Sequence, residues 1–137
     1  MNMDMVELIK RHEGLRLEPY KCSAGKLTIG YGHNLDGIGI TEDEADYLLM
    51  GDIERAEYAV SRVFGDSLLQ SLSCNRYSVL VNMMFNLGLP RFKGFKKMIQ
   101  AVKDGDYNKA AHEMLNSKWA QQVRTRADEL IKMMRKG

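Results

Sequence analysis

The chain has 137 residues, 45% of them hydrophobic and 28% charged, with a formal net charge of +2. That length allows one domain, or two small lobes sharing a helix, with enough apolar mass for a real core. The composition is that of an ordinary soluble globular protein without repeats or low-complexity segments, and no stretch approaches the roughly 20 apolar residues needed to span a bilayer.

The mild positive excess suits a polyanionic partner without saying which. Lys and Arg rise toward the C-terminus but are spread over several helical stretches, so no single recognition helix for nucleic acid emerges. Cys22 and Cys74 lie far apart and form no disulfide framework, which leaves two free thiols of a reducing compartment. The N-terminal run MNMDMVELIKRHEG carries charges throughout and has no signal-length apolar core.

From Met3 to His12, apolar residues fall at helical spacing, and Gly14 supplies a stop that leaves Glu13 on the last turn. Two strand-like runs follow, Arg16 to Lys21 and Lys26 to Tyr31, separated by a Ser-Ala-Gly turn. Pro19 marks the first of them as an edge or broken strand. Asn34 to Gly39 is a Gly-rich connector with a third short strand or a turn. Thr41 and Glu44 form a capping box that opens a long helix to about Arg62. Its buried side is expected to include Ala45, Leu48, Leu49, Ile53, Ala56, Ala59, Val60 and Val63. A short helical turn near Ser67 precedes Ser73, which caps the most apolar helix, Cys74 to Leu87, closed by Gly88 and Pro90. That helix is expected to be the central, buried one. Further helices follow from Phe95, from the cap Asp106, and from about Val123 to Met134, with Trp119 on a short linking turn.

The residues that carry chemistry are Glu13, Cys22 eight residues further on, and Thr28 after five more, followed by Gly-Tyr-Gly-His33. Taken singly, Glu13 is a solvated residue at a helix end and Thr28 a β-former. Together the three resemble the active-site motif of the T-even phage-type lysozymes, endolysins that cut peptidoglycan glycan strands, whose second position is Asp or sometimes Cys. The resemblance covers nearly the whole chain. It includes Gly32-His33, Ile40 to Ala45 with Asp52 beyond, Asn82-Met-Met-Phe-Asn-Leu-Gly88, Ser117-Lys-Trp119 and Arg124-Thr-Arg-Ala127.

The resemblance implies a mainly α, α+β lysozyme-like domain, with a β-rich lobe at about 14–40, a linking helix at about 41–62, and a helical lobe from about 1–13 and 63–137. It implies a muramidase that hydrolyses the β-1,4 bond between N-acetylmuramic acid and N-acetylglucosamine with inversion, without cofactor or metal. Glycoside cleavage needs an acid for the leaving oxygen and a group that activates water. Glu13 would be the acid, and partial dehydration at a helix end would suit a group that must hold its proton. Cys22 would help deliver water, best as a thiolate supported by Lys21 and Lys26, and Thr28 would hold that water. Leu35, Phe85 and Asn86 would contact the sugar. His33 would pair with Asp52 to pin the β-lobe, and Arg126 would lie close to Glu13.

A monomer is expected, reaching peptidoglycan from the host cytoplasm through a holin lesion, without nucleic acid as partner. Two other outcomes are a lytic transglycosylase, which needs only the Glu, and a non-catalytic wall-binding module on the same fold. The chain departs from the T-even enzyme between His33 and Ile40, where the shorter connector should lack the extra helix. It also departs at Met98 and Glu113, which replace polar sugar contacts, and at the early end, Gly137.

Overall fold

Helix stops and turn residues bound the elements of this chain. The structure, a computed structural model, describes residues 2–137. It consists of two compact units, Met1–Tyr47 and Leu48–Gly137.

In the first unit, α1 (Met3–Glu13) starts where the Asn2 side chain accepts from the Asp4 N–H. It stops at Gly14, whose φ of 73° is a conformation that a side chain would resist. The strands β1 (Arg16–Lys21), β2 (Leu27–Gly30) and β3 (His33–Asn34) form an antiparallel sheet in that order. Arg16 pairs with Gly30 and Tyr20 with Thr28, but the register is irregular between Arg16 and Tyr20. Pro19 lies in this stretch, and a residue without an N–H cannot sustain a regular ladder. Thr28 and Ile29 of β2 then face Asn34 and His33 of β3.

The connector after β3 is both strand and helix. Asn34 accepts from the Gly37 N–H at 2.9 Å and so caps α2 (Leu35–Ile38), a single turn. The connector, expected to hold a third short strand or a turn, holds that strand and this one turn of helix. Asp36 Oδ2 accepts from the Leu27 N–H at 2.6 Å, which fastens this turn to β2.

The capping box forms as read. Thr41 Oγ1 accepts from the Glu44 N–H at 3.2 Å, and Glu44 Oε1 from the Thr41 N–H at 3.0 Å. Bonds to the Glu44 carboxyl from the Thr41 backbone N–H, and then from the Thr41 hydroxyl, hold it below the usual Glu range, with a smaller contribution from the charge of His33. The helix they open, α3 (Glu42–Phe64), buries only Ala56, Val60 and Phe64. Ala45, Leu48 and Leu49, expected on the buried side, are exposed. The apolar core of the second unit reaches only the last turns of α3.

In that unit α4 (Asp66–Ser71) leads to α5 (Cys74–Leu87), which Ser73 caps. Val79, Leu80, Met83, Met84 and Leu87 of α5 are buried in one core. Each such side chain contributes roughly 1.5–3 kcal/mol by leaving water. Around it come α6 (Leu89–Lys93), α7 (Lys96–Lys103) and α8 (Tyr107–Leu115). Then follow α9 (Lys118–Val123) and α10 (Thr125–Lys136). Phe92 meets Phe64 edge to face at 6.1 Å between ring centres.

Trp119 lies in α9, a short helix started by the Ser117 side chain accepting from the Ala120 N–H, and not on a turn. The final helix begins only at Thr125, after Arg124 has taken a φ of 39° that ends α9. Arg76 of α5 fixes the far end of α10 by donating from Nε to the Met134 carbonyl at 2.7 Å and from Nη2 to the Arg135 carbonyl at 2.9 Å.

Candidate active site

Residues 10 and 13 share a face of α1 because they are one helical turn apart. Both meet the turn between β2 and β3. Lys10 Nζ lies 5.5 Å from the centre of the Tyr31 ring, a cation–π contact. The Glu13 carboxyl lies over Gly32, so close that a Cβ placed there would sit 2.6 Å from Oε2. Gly32 also has a φ of 72°, a backbone conformation that favours glycine. Glu13 is exposed.

Cys22 and Thr28 come together across the β1–β2 turn. The Cys22 N–H donates to the Lys26 carbonyl at 3.0 Å, and the Gly25 N–H to the Cys22 carbonyl at 2.8 Å, closing a tight loop around the thiol. The Lys26 backbone N–H and then that of Ala24 stabilise the thiolate most, and the Thr28 hydroxyl adds to them. The Cys22 thiol is therefore held below its ordinary value against a smaller opposing effect of desolvation. Thr28 is the one buried polar residue among those described, and its Oγ1 donates to the Lys26 carbonyl at 2.8 Å. The hydroxyl has a single hydrogen, so it serves either that carbonyl or the sulfur, and a charged sulfur competes for it better. The backbone amides at this turn, and not the Lys ammonium groups, are the main influence on the thiol.

Of the supporting residues, His33 bonds the Gly39 carbonyl through Nε2, which is therefore protonated and donates. Asp52 pairs with Arg55 one turn along α3. Leu35 is half-buried at the start of α2.

The second unit carries Phe85, Asn86 and Arg126. Arg126 Nε donates to Asn82 Oδ1 at 2.8 Å, which holds the guanidinium of α10 against α5. Both residues, with Phe85, line a cavity of about 390 Å³ whose apolar wall includes Leu49, Ile53 and Val81. Glu57 and Tyr77 close its other side, the Tyr77 hydroxyl donating to Glu57 Oε2 at 2.7 Å. Burial and then that carboxylate push the Tyr77 hydroxyl up to about 12. Asn86 faces elsewhere, accepting from Trp119 Nε1–H at 2.8 Å. Phe95 stands edge-on to that indole with ring centres 6.2 Å apart.

Sequence reasoning missed three of these residues. Gly32 was visible only as part of Gly-Tyr-Gly-His, and Asn82 as the first letter of Asn-Met-Met-Phe-Asn. Lys26 was read for its charge, whereas its backbone does the work. Among the described residues no three His, Cys, Asp or Glu side chains gather as a metal site. Among the described residues no helix is long and apolar enough to cross a membrane.

The phage lysozyme family model matches residues 10–135. The endolysin of Acyrthosiphon pisum secondary endosymbiont phage 1 is 36% identical over 116 residues, which is 82% of this chain and 75% of that protein. The endolysin of Salmonella phage P22 is 32% identical over 115 residues, 78% of this chain and 75% of its own length. A protein of Dictyostelium discoideum named probable T4-type lysozyme 2 is 27% identical over 165 residues, covering 100% of this chain and 96% of that protein.

Proposed function

Since the chain belongs to the phage lysozyme family, we propose that it is a cell-wall lytic muramidase, cleaving the β-1,4 bond from N-acetylmuramic acid to N-acetylglucosamine. The observation that carries this reading is the Glu13 carboxyl seated over Gly32, in the same small unit as the Cys22–Thr28 pair. Glu13 gives its proton to the glycosidic oxygen as the bond from the anomeric carbon breaks. Water adds to that carbon from the opposite face and releases a proton toward Cys22, with Thr28 orienting the water. The product is a hydrated reducing end of inverted configuration. Phe85 and Asn86 contact the glycan in this reading, as does Leu35. In this reading Arg126, held by Asn82, is the cation that steadies the acid, and His33 and Asp52 support the fold. The protein acts as a monomer without cofactor, and a holin lesion gives it access to peptidoglycan from the host cytoplasm.

The thiol in place of a carboxylate favours one second reading, a lytic transglycosylase in which a sugar hydroxyl replaces water and only the acid is essential. Digestion of purified peptidoglycan by wild type, Glu13→Gln, Cys22→Ser and Cys22→Asp, with products identified by mass, separates the two. Clearing that Glu13→Gln abolishes, with hydrated ends and activity retained in Cys22→Asp but lost in Cys22→Ser, is the expected result. Products bearing 1,6-anhydro ends would replace the muramidase with a transglycosylase. Wall binding without clearing would end the enzyme reading altogether.

A further inference from the structure

The run Gly30-Tyr31-Gly32 between β2 and β3 has one side chain. Gly30 and Gly32 both take the left-handed backbone, with φ of 70° and 72°. Glycines there let the turn form but give it nothing to be held by. Any side-chain grip on this turn therefore goes through Tyr31. The helix that carries the acid is not pinned by a core either, since α1 buries none of its residues. Met5, Leu8 and Ile9 are exposed while Lys10 is half-buried, the reverse of the usual order of these residue types. Lys10 Nζ reaches the Tyr31 ring at 5.5 Å from its centre, within range for a cation on an aromatic face. Its other partner, Glu7 at 3.7 Å, is on the same helix and ties α1 to nothing else. Lys10 and Glu13 thus place two side chains of one helical face on two successive residues of one turn, Tyr31 and Gly32.

We propose that Lys10 and Tyr31 form a clasp that positions the acid, holding the Gly30–Gly32 turn against α1 so that the Glu13 carboxyl keeps one place relative to the scissile bond. Both are positioning residues and act through Glu13. The proposal deepens the lytic reading of this site and rests on it. An exposed cation–π contact adds little to folding. Acid catalysis is far more sensitive to placement, since an error of about 1 Å in a reacting group can cost on the order of a hundredfold in rate. Loss of the clasp should therefore be read in turnover and in the motion of the turn, and not in whether the chain folds. The glycan still binds through the rest of the site, so KM should stay where it is.

The test uses the full chain and soluble, uncross-linked peptidoglycan strands, with new chain ends of either chemical kind counted by mass. Lys10→Met and Tyr31→Leu should each lower kcat roughly fivefold or more, with KM within about twofold of wild type. The double variant should lose no more than the worse single change, because the two residues act as one contact. Lys10→Arg and Tyr31→Phe, which keep a cation and a ring, should restore kcat to within about twofold of wild type. Amide nitrogen relaxation of Gly32 reads the clasp without any turnover. Its order parameter should be about 0.85 in wild type and fall below about 0.6 in Lys10→Met and in Tyr31→Leu. Losses that multiply in the double variant, a raised KM with kcat unchanged, failure of the two conservative variants, or a Gly32 order parameter that does not fall overturns the proposal. A wild type that releases no ends overturns the lytic reading instead, and the order parameter alone then decides whether the clasp holds the turn.

Discussion

A single methyl group at position 32 tests how closely the acid is held. Gly32→Ala would force Glu13 aside, because the new Cβ meets Oε2 at 2.6 Å, and would strain a backbone at φ 72°. The left-handed conformation costs a non-glycine residue roughly 1–2 kcal/mol. Peptidoglycan clearing should fall at least tenfold, while circular dichroism shows the variant still folded. Undiminished clearing would separate Glu13 from the chemistry proposed for it.

Cys22 offers a second test at this scale. Its thiol is held below its ordinary value, chiefly by the Lys26 backbone N–H, so the thiolate forms at lower pH than in a free peptide. Alkylation by iodoacetamide, followed residue by residue in the mass spectrometer, should therefore show a midpoint for Cys22 below that of an unstructured cysteine peptide. Thr28→Val should move that midpoint up, because it removes one of the thiolate's donors. Lysis that depends on the thiolate should rise with pH across the same interval. A midpoint at or above the peptide value would remove the thiolate from the mechanism.

The triplet of Glu13, Cys22 and Thr28 was legible as spacing, since each lies at a helix end, a turn or a strand that local patterning defines. What modulates them was not legible. Gly32 matters because a distant helix end comes to rest on it, and Lys26 acts through its backbone, which every residue type shares.

Among the elements, α5 is where sequence pattern and structure agree most closely. Ser73 and Gly88 bound it as read, because a cap and a stop are local chemistry. Its polar residues were harder to place. Asn86 was expected to contact sugar, and its carbonyl oxygen is engaged by the Trp119 indole N–H. Trp119 itself is only 3% exposed, so that N–H has little recourse to water. Asn86→Leu should cost about 1–3 kcal/mol for the orphaned donor, whereas Asn86→Asp keeps an acceptor and should cost less. Urea unfolding of the two variants measures the difference, and equal stability would mean that the indole bond contributes nothing. The α9–α10 junction was misread because a Trp after Ser-Lys carries no periodicity of its own. The break depends on Arg124 accepting a backbone conformation that side chains seldom adopt.

At the scale of the molecule, apolar burial is uneven. Every buried apolar residue among those described belongs to the span from Ala56 to Met134, and Thr28 is the one buried residue of the first unit. Periodicity alone made α3 look buried along its whole length, because a pattern of apolar residues shows which face could be covered and not how far a core extends. A sheet without an apolar core opens by local fluctuation, whereas the amides of α5 open only with the whole unit. Hydrogen exchange should thus show amides of Leu27–Gly30 exchanging orders of magnitude faster than those of Val79–Leu87. Equal protection in the two segments would contradict this division of stability.

The two thiols gain a use from where they fall. Cys22 lies in one compact unit and Cys74 in the other, both are free, and the chain has no further cysteine. Cys74 is exposed and Cys22 half-buried with its thiol held low, so the two differ both in access and in nucleophilicity. The unmodified chain therefore carries its own pair of labelling points. A spin label or a dye on each would track the separation of the two units in solution, with and without glycan, and no engineered residue would be needed.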